Sequence, residues 1–309
     1  MFLKRYIQKF TKPLGDFRWR RNYHNQELAT YNDPLCSFHY IQSDQHLVAD
    51  DQHDEKPIFI FSAGWRSGST LLQRLLCSDS NTLIWGEPYD KSCLIQSLSE
   101  TFLPITGQWP PDGYFIENIQ KRHISDFWIA SLYPNLEDLI ASHREFLLHL
   151  FANTAEKEGF ARWGIKEVRF GLKEALYLKI LFPNSRFVFL QRNLKSAYRS
   201  YAGYSTQRNW YSRWPFRKAF SPFSFARHRS RLLNEFELAA EIVNGFHVDY
   251  GDLIRSDYNL QALEAYCGVD IDKTILSNKI GSSQEKAAVY TLSLYEKIML
   301  FIGDRIYTN

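Results

Sequence analysis

A loop rich in glycine, serine and arginine follows a short apolar stretch in the first quarter of the chain. The stretch Ile58–Phe61 predicts a buried parallel strand, and the loop (SAGWRSGST) leads into a run with the apolar spacing of a helix. Such a loop is suited to binding an anion, because several backbone N–H groups at a helix N-terminus point at one place and carry partial positive charge. Gly68 lets an anion approach the backbone closely, and Arg66 adds a fixed cation.

Hydroxyl groups at the end of this loop add to its donors, and they also limit the chemistry. Ser69 and Thr70 both supply O–H groups, but Ser69 stands where a Walker A loop has its lysine. Without that lysine, hydrolysis of a nucleoside triphosphate is disfavoured. The structural alternative is a Ser/Gly turn that caps a helix.

A second polar cluster follows another apolar stretch. Arg186–Leu190 predicts a buried strand, Arg192 lies at its end, and Ser200 falls about two turns into the next predicted helix. An arginine in a loop and a serine on a helix could bind one phosphate together. The alternative for this cluster alone is an ordinary basic helix cap.

Positive charge is concentrated in two segments. Residues 1–21 contain seven Lys or Arg and one Asp, so this segment carries +6 although the whole chain carries only +3. Residues 184–234 contain eleven Lys or Arg and no Asp or Glu. Such a segment attracts an anion, which could be phosphate, sulfate, an acidic sugar or nucleic acid.

Composition limits the class of protein. With 309 residues, of which 45% are hydrophobic and 23% charged, the chain is typical of a soluble globular protein with one large α/β domain or two small ones. The four cysteines form no CxxC pair, so neither a disulfide framework nor a zinc site is expected, and a reducing compartment fits best. No apolar run is long enough to span a membrane and no signal peptide is evident, so we expect a cytoplasmic protein.

The elements that must position the polar loops alternate along the chain. Strands are also predicted at 82–85, 162–165 and 246–248, and helices at 134–157, 172–181, 225–243 and 286–302. Alternation of this kind predicts an α/β fold with a parallel sheet flanked by helices on both faces, and with the loops after the strands along one edge. We expect a single domain over residues 57–309 and an N-terminal basic and aromatic extension over 1–56 that packs on it.

The two polar clusters together resemble the signatures of the PAPS-dependent sulfotransferase family, where PAPS is 3′-phosphoadenosine 5′-phosphosulfate. The loop sequence Arg-Ser-Gly-Ser-Thr is closest in style to the tyrosylprotein and carbohydrate sulfotransferases. The resemblance implies a P-loop-like sheet, with the first loop holding the 5′-phosphosulfate and Arg192 and Ser200 holding the 3′-phosphate. The loop residues that this implies are Arg66, Ser67, Gly68, Ser69 and Thr70.

Weaker matches extend the resemblance to about residues 57–285. Tyr250, in the stretch Asp249–Leu253, is similar to the family's tyrosine that contacts the adenine. Ser282, in the stretch Lys279–Ser283, matches the late loop that closes on the nucleotide. PAPS and its product PAP are therefore the expected cofactor pair, and no metal is expected.

Sulfuryl transfer to a hydroxyl group needs a base and cations. Glu87 follows the predicted strand 82–85, and its spacing from Arg66 resembles that of the family's catalytic glutamate; the alternative is a surface Glu at the start of a helix. Lys166 follows the predicted strand 162–165 and matches the catalytic lysine; the alternative is a salt bridge to Glu167 or Glu174. Arg66 is the third candidate catalytic residue.

Several features bear on partners. His123, beside two basic residues, is a solvated histidine or a group that contacts an acidic acceptor or replaces Glu87 as the base. Residues 198–225 mix aromatic and basic side chains, which suits a sugar with acidic substituents, single-stranded RNA, or a lid that packs on the domain. Residues 1–21 have an apolar helical face with lysines around it, which could contact an anionic membrane surface or pack on the protein.

The sequence therefore predicts a sulfotransferase that moves the sulfuryl group of PAPS to a hydroxyl acceptor, a carbohydrate or glycolipid, with Glu87 as base. No nucleic acid partner is expected. One alternative is a nucleotide-dependent kinase on a P-loop scaffold, against which the absent Walker lysine argues. Another is a non-catalytic RNA- or anion-binding protein, which leaves Glu87 and Lys166 without a role.

Overall fold

A five-stranded parallel sheet forms the centre of the protein. The computed structural model describes residues 31–44, 47, 55–115, 119–126, 128–208, 221–255, 259–276 and 290–306, with only the backbone at 90 and 204–208. The strands lie in the order β2-β3-β1-β4-β5, and every neighbouring pair is parallel. Their bounds are β1 Ile58–Ser62, β2 Thr82–Gly86, β3 Arg162–Glu167, β4 Arg186–Gln191 and β5 Phe246–Asp249.

Helices follow the strands and cover both faces of the sheet. Their bounds are α1 Pro34–Ser43, α2 Ser69–Leu76, α3 Leu94–Glu100, α4 Leu136–Leu147, α5 Asn153–Lys157, α6 Leu172–Leu181, α7 Leu194–Arg208, α8 Pro222–Val243, α9 Tyr250–Leu253, α10 Gln261–Cys267 and α11 Leu294–Arg305. A π-helical turn, Leu148–Ala152, joins α4 to α5. The predicted α/β fold with a parallel sheet is confirmed, whereas α1, α3, α9 and α10 were not predicted.

The two faces of the sheet bury different side chains. Successive residues of a strand point to opposite faces, so Phe59 and Phe61 join a core rich in aromatic rings while Ile58 and Ile60 join an aliphatic core. The aromatic core continues through the neighbouring strand and α8, where Phe61 packs on Phe189 and Phe236. This core accounts for much of the high aromatic content of the chain.

Strand β3 is longer than the sequence predicts, which corrects the expected position of Lys166. The predicted strand ends at residue 165, but Lys166 pairs with Ile60 of β1 and Gly86 of β2, and Glu167 pairs with Phe61. Both charged residues are almost fully buried. A buried charge is tolerated where it is paired, and both have partners of opposite charge at the end of the strand.

Part of the N-terminal segment packs on the sheet domain. Helix α1 contacts α6, and Phe38 and Ile41 of α1 are buried in the aromatic core. The basic residues 1–21 and the aromatic stretch 209–220 lie outside the described residues. Within the described part of the chain, no helix is long and apolar enough to cross a membrane.

Candidate active site

The loop between β1 and α2 has the curled backbone of an anion-binding loop. Gly64, Arg66 and Gly68 all have positive φ angles, of 83°, 65° and 99°. Gly68 is the N-cap of α2, and the Ser67 hydroxyl donates to the Gly64 carbonyl at 2.6 Å. The Ser62 and Ser67 hydroxyls are also hydrogen-bonded to each other. Alternating left-handed residues turn successive N–H groups toward one concavity, the geometry that binds phosphate.

The two polar clusters of the sequence meet at Arg66. The Arg66 Nε donates to Ser200 Oγ at 3.0 Å, and Arg192 Nη1 donates to the Arg66 carbonyl at 2.9 Å. Arg192 follows β4 and Ser200 lies on α7, so the loop after β1 is tied to the loop and helix after β4. The structure therefore brings all three predicted residues together at one edge of the sheet. Two further residues of the loop were also predicted to bind the nucleotide. Ser69 is buried in the first turn of α2, and Thr70 is exposed.

Tyr250 fills the space between the loop and Arg192. Its ring lies so close to Gly68 that a Cβ atom added there would be 2.1 Å from Tyr250 Cδ2, and the Arg192 guanidinium lies 4.2 Å from the ring centroid. Burial lowers the pKa of Arg192 from its ordinary value, and the nearby Arg66 cation lowers the pKa further. The buried Nε of Arg192 has no hydrogen-bond partner among the described residues.

A second arginine behind Arg192 was missed by the sequence reasoning. Arg229 of α8 is buried, and its Nη2 donates to the Arg192 carbonyl at 2.5 Å. Its Nη1 lies 3.8 Å from a carboxylate oxygen of Asp304, on α11. Arg229 stood in the acid-free segment 184–234, but no spacing in the sequence linked it to Asp304 across the fold. Arg229 thus fixes the backbone that carries Arg192.

The two candidate catalytic side chains form an ion pair. Lys166 Nζ lies 2.6 Å from Glu87 Oε1, and the Glu87 backbone N–H donates to the Lys166 carbonyl at 2.7 Å. Glu87 directly follows β2 and Lys166 lies near the end of β3, so both are at the edge that carries the anion loop. The Lys166 side chain is 6% exposed and that of Glu87 is 25% exposed. An acidic and a basic group are therefore held together beside a cationic loop.

The structure shows neither the salt-bridge partners nor the helix start that the alternatives for these two residues named. Glu167 pairs with Arg169, with Nε–Oε1 and Nη2–Oε2 distances of 2.9 and 2.5 Å, and Glu174 lies 3.4 Å from Lys173. Among the described residues, the ion-pair partner of Lys166 is Glu87 and neither Glu167 nor Glu174. Glu87 is half-buried and begins no helix, since only one 3-10 turn, Asp90–Ser92, follows it before α3.

Two of the five non-glycine residues with positive φ in the described part of the chain are candidate catalytic residues. Glu87 has a φ of 31° and Arg66 has a φ of 65°, in the left-handed region that L-residues with side chains rarely adopt. Such conformations cost about 1–3 kcal/mol each and cluster at functional sites.

Other predicted residues lie apart from this pair or outside the described residues. His123 is exposed, and its Nδ1 lies 2.6 Å from the Ser125 hydroxyl. Ser282 and the whole stretch Lys279–Ser283 lie outside the described residues.

The parallel sheet and the loop after its first strand define the chain as a P-loop-like α/β protein. Residues 57–273, more than half of the chain, match the family model described as the sulfotransferase family. The chain belongs to this family and is a sulfotransferase. No protein among the curated proteins matches it.

Solved structures of other sulfotransferases are similar to this one. The sulfotransferase domain of the olefin synthase from Synechococcus PCC 7002 is 16% identical, with a TM-score of 0.42, 84% of this chain covered and 97% of that one. A sulfotransferase from Mycobacterium tuberculosis is 18% identical, with a TM-score of 0.42 and coverages of 88% and 81%. One from Mycobacterium avium is 15% identical, with a TM-score of 0.38 and coverages of 79% and 71%.

Proposed function

We propose that this sulfotransferase moves the sulfuryl group of PAPS to a hydroxyl group of a carbohydrate or glycolipid, with Glu87 as the general base. The observation that carries the proposal is the Glu87–Lys166 pair at the same sheet edge as the curled loop 64–70. A non-catalytic anion-binding protein would have no need for a carboxylate held in a strained backbone at that edge.

The residues at the loop fit a nucleotide with two separate phosphate groups. The N–H groups of the loop and the α2 N-terminus would hold the 5′-phosphosulfate, with Arg66 beside them. The buried, unpartnered Nε of Arg192 is a donor that a 3′-phosphate would satisfy, and Ser200 lies within reach of the same cluster through Arg66. Tyr250 supplies an aromatic ring next to this cluster.

The chain's own residues would divide the work of transfer as follows. PAPS supplies, when bound, an activated sulfuryl group attached to a phosphate leaving group. Glu87 would accept the acceptor's hydroxyl proton through Oε2, because Oε1 already accepts from Lys166. Lys166 has three N–H donors, so it can hold Glu87 with one and place another toward the oxygen that gains charge as PAP leaves.

Two measurements test this function. Calorimetry with PAP and with AMP tests the nucleotide, and we expect PAP to bind far more tightly because only PAP carries a 3′-phosphate for Arg192. A screen of hydroxyl acceptors with labelled PAPS tests the reaction, with labelled product expected from at least one sugar. Equal affinity for PAP and AMP, or transfer from ATP in place of PAPS, would overturn the proposal.

A further inference from the structure

A cavity of about 640 Å³ opens at the edge of the sheet that also carries Glu87 and Lys166. Its wall comes from the segments that follow three neighbouring strands. Trp65 comes from the loop after β1, and Arg169 comes directly after β3. Cys93 and Gln96 come from the segment after β2. Helix α8 forms another part of the wall. The cavity is within the size range of small-molecule sites, about 300–1,000 Å³.

The cavity is connected to the site through Arg169. Arg169 is three residues after Lys166, and it is held by Glu167. Against the effect of burial, the Glu167 carboxylate and more weakly that of Glu87 raise the pKa of Arg169, and its Nη1 lies 3.8 Å from Cys93 Sγ. Trp65 directly precedes Arg66 in the anion loop. A molecule in the cavity would therefore contact two residues, Trp65 and Arg169, that are close in sequence to the anion loop and to Lys166.

The charges of the cavity wall are already neutralised. Arg169, Lys173 and Arg231 are its cations, and each is held by at least one carboxylate. Arg169 pairs with Glu167. Lys173 Nζ lies 2.9 Å from Glu100 Oε1. Arg231 Nη1 lies 2.8 Å from Glu235 Oε1. An anionic acceptor would have to compete with these carboxylates and would meet like charge.

The wall nevertheless offers hydrogen bonds. The Nε2 of Gln96 is buried and has no hydrogen-bond partner among the described residues. An unsatisfied buried donor costs about 1–3 kcal/mol, and a ligand oxygen satisfies this one when the Gln96 amide turns into the cavity. The ion-paired carboxylates add acceptors for hydroxyl donors. A purely apolar acceptor would leave all of these groups unsatisfied.

From this combination we propose that the cavity binds the acceptor, and that the acceptor is a neutral, polyhydroxylated sugar rather than a uronate or a phenol. The inference rests on the proposed function, which it narrows by placing the acceptor and naming its charge. Gln96 is then a residue that binds a sugar oxygen, and Glu100 is a residue that keeps acidic sugars out.

A panel of acceptors tests the charge class. Maltose, lactose and cellobiose are the neutral probes, dodecyl maltoside is the lipid-linked form of one of them, and a glucuronate-containing disaccharide and phenol are the competing classes. At saturating PAPS we expect kcat/KM for the best neutral sugar to exceed that of the glucuronate and of phenol by at least about tenfold. Comparison of kcat/KM for maltose with that for dodecyl maltoside shows whether the acceptor is a free sugar or a glycolipid. Preference for glucuronate or phenol overturns the proposal.

Two substitutions test the named residues. Gln96→Leu should raise KM for the accepted sugar by about 3- to 10-fold, the cost of one lost hydrogen bond, without changing PAP affinity. Gln120→Leu, the same change at an exposed site, is the matched control. Glu100→Gln should raise kcat/KM for glucuronate relative to kcat/KM for the neutral sugar. An unchanged KM in Gln96→Leu, together with no gain for glucuronate in Glu100→Gln, would contradict the assignment.

Alkylation of Cys93 gives a readout that does not need turnover. With PAP bound, a neutral disaccharide at high millimolar concentration should slow modification of Cys93 by iodoacetamide, whereas glucuronate should not; mass spectrometry identifies the modified peptide. If PAP binds and the sugar protects Cys93 but no product forms, the proposed transfer reaction is contradicted and the cavity assignment stands. If transfer to a sugar occurs but no sugar protects Cys93, the function stands and the cavity assignment fails.

Discussion

Lys166 Nζ and Glu87 Oε1 lie 2.6 Å apart and join the ends of two neighbouring strands. The contact holds the proposed base and the proposed cation in one place before any ligand binds. Because Glu87 also donates its N–H to the Lys166 carbonyl, the backbone and the side chains fix the same geometry. A site arranged in this way pays little reorganisation cost during the reaction.

We expect Glu87→Gln to lower turnover by about 10²- to 10⁴-fold, because glutamine keeps the shape and the acceptor for Lys166 but removes the basicity. PAP affinity and melting temperature should change little. Rates with labelled PAPS, calorimetry and thermal melts on one preparation separate the effects. Glu158→Gln, at an exposed position, is the control. Lost thermal stability with normal turnover would show that Glu87 has a structural role instead.

Lys166→Met should lower kcat by about 10²- to 10³-fold, since one donor to the developing charge is typically worth about 2.7–4 kcal/mol. Methionine keeps the buried aliphatic stem and removes only the charge, so the fold should survive. Single-turnover rates are the measurement, and Lys157→Met, the same substitution at an exposed position, is the matched control. Normal kcat in the folded Lys166→Met variant would exclude a catalytic ammonium.

Arg192→Ala should weaken PAP binding by about 10- to 150-fold, because a hydrogen bond to a charged group is worth about 1.5–3 kcal/mol. AMP affinity should be nearly unchanged, since AMP has no 3′-phosphate. Calorimetry of both nucleotides gives the ratio. Arg199→Ala, an exposed arginine on the following helix, controls for the loss of positive charge in this region. Equal losses in the two variants would mean that only general charge attracts the nucleotide.

Gly68→Ala and Gly159→Ala form a matched pair. Both glycines have positive φ, 99° and 90°, but a Cβ at Gly68 would meet the Tyr250 ring at 2.1 Å whereas Gly159 has nothing within 4 Å. Both variants should lose about 1–2 kcal/mol from the backbone conformation. Gly68→Ala should lose more stability and also PAP affinity, as measured by denaturant unfolding and calorimetry. Equal effects in both variants would show that the contact with Tyr250 contributes neither to stability nor to PAP affinity.

Cysteine reactivity should differ between the cavity and the core. Burial raises the pKa of Cys267 to about 12, so its thiol stays protonated at pH 8 and should resist alkylation in the native protein. Cys93 lines the cavity and should be modified earlier. Time-resolved iodoacetamide labelling with peptide mass spectrometry measures both rates. Faster labelling of Cys267 than of Cys93 would contradict the described burial.

Local sequence patterns were sufficient for much of the site. The apolar run Ile58–Phe61 followed by a Gly/Ser loop predicted both the strand and the anion loop, because each needs only nearby residues. The same holds for Arg192 after β4, which lies at the expected edge because parallel strands place their ends together. The exact end of β3 was missed because Lys166 and Glu167 are charged, and charged residues usually end a buried strand. Both are buried here because each forms an ion pair, Lys166 with Glu87 and Glu167 with Arg169.

The sequence by itself determined the parallel α/β fold and several of the residues that reach the site edge, though not Arg229. Periodicity and the order of strand, loop and helix are local properties, and they were enough for that. Only the tertiary structure decided which charges pair across the fold: Lys166 with Glu87 rather than Glu167, Arg229 with Asp304, and Lys173 with Glu100. Each of these choices depends on the distance between side chains that are far apart in the chain, and charge interactions fall off with distance in a way that no spacing along the sequence encodes.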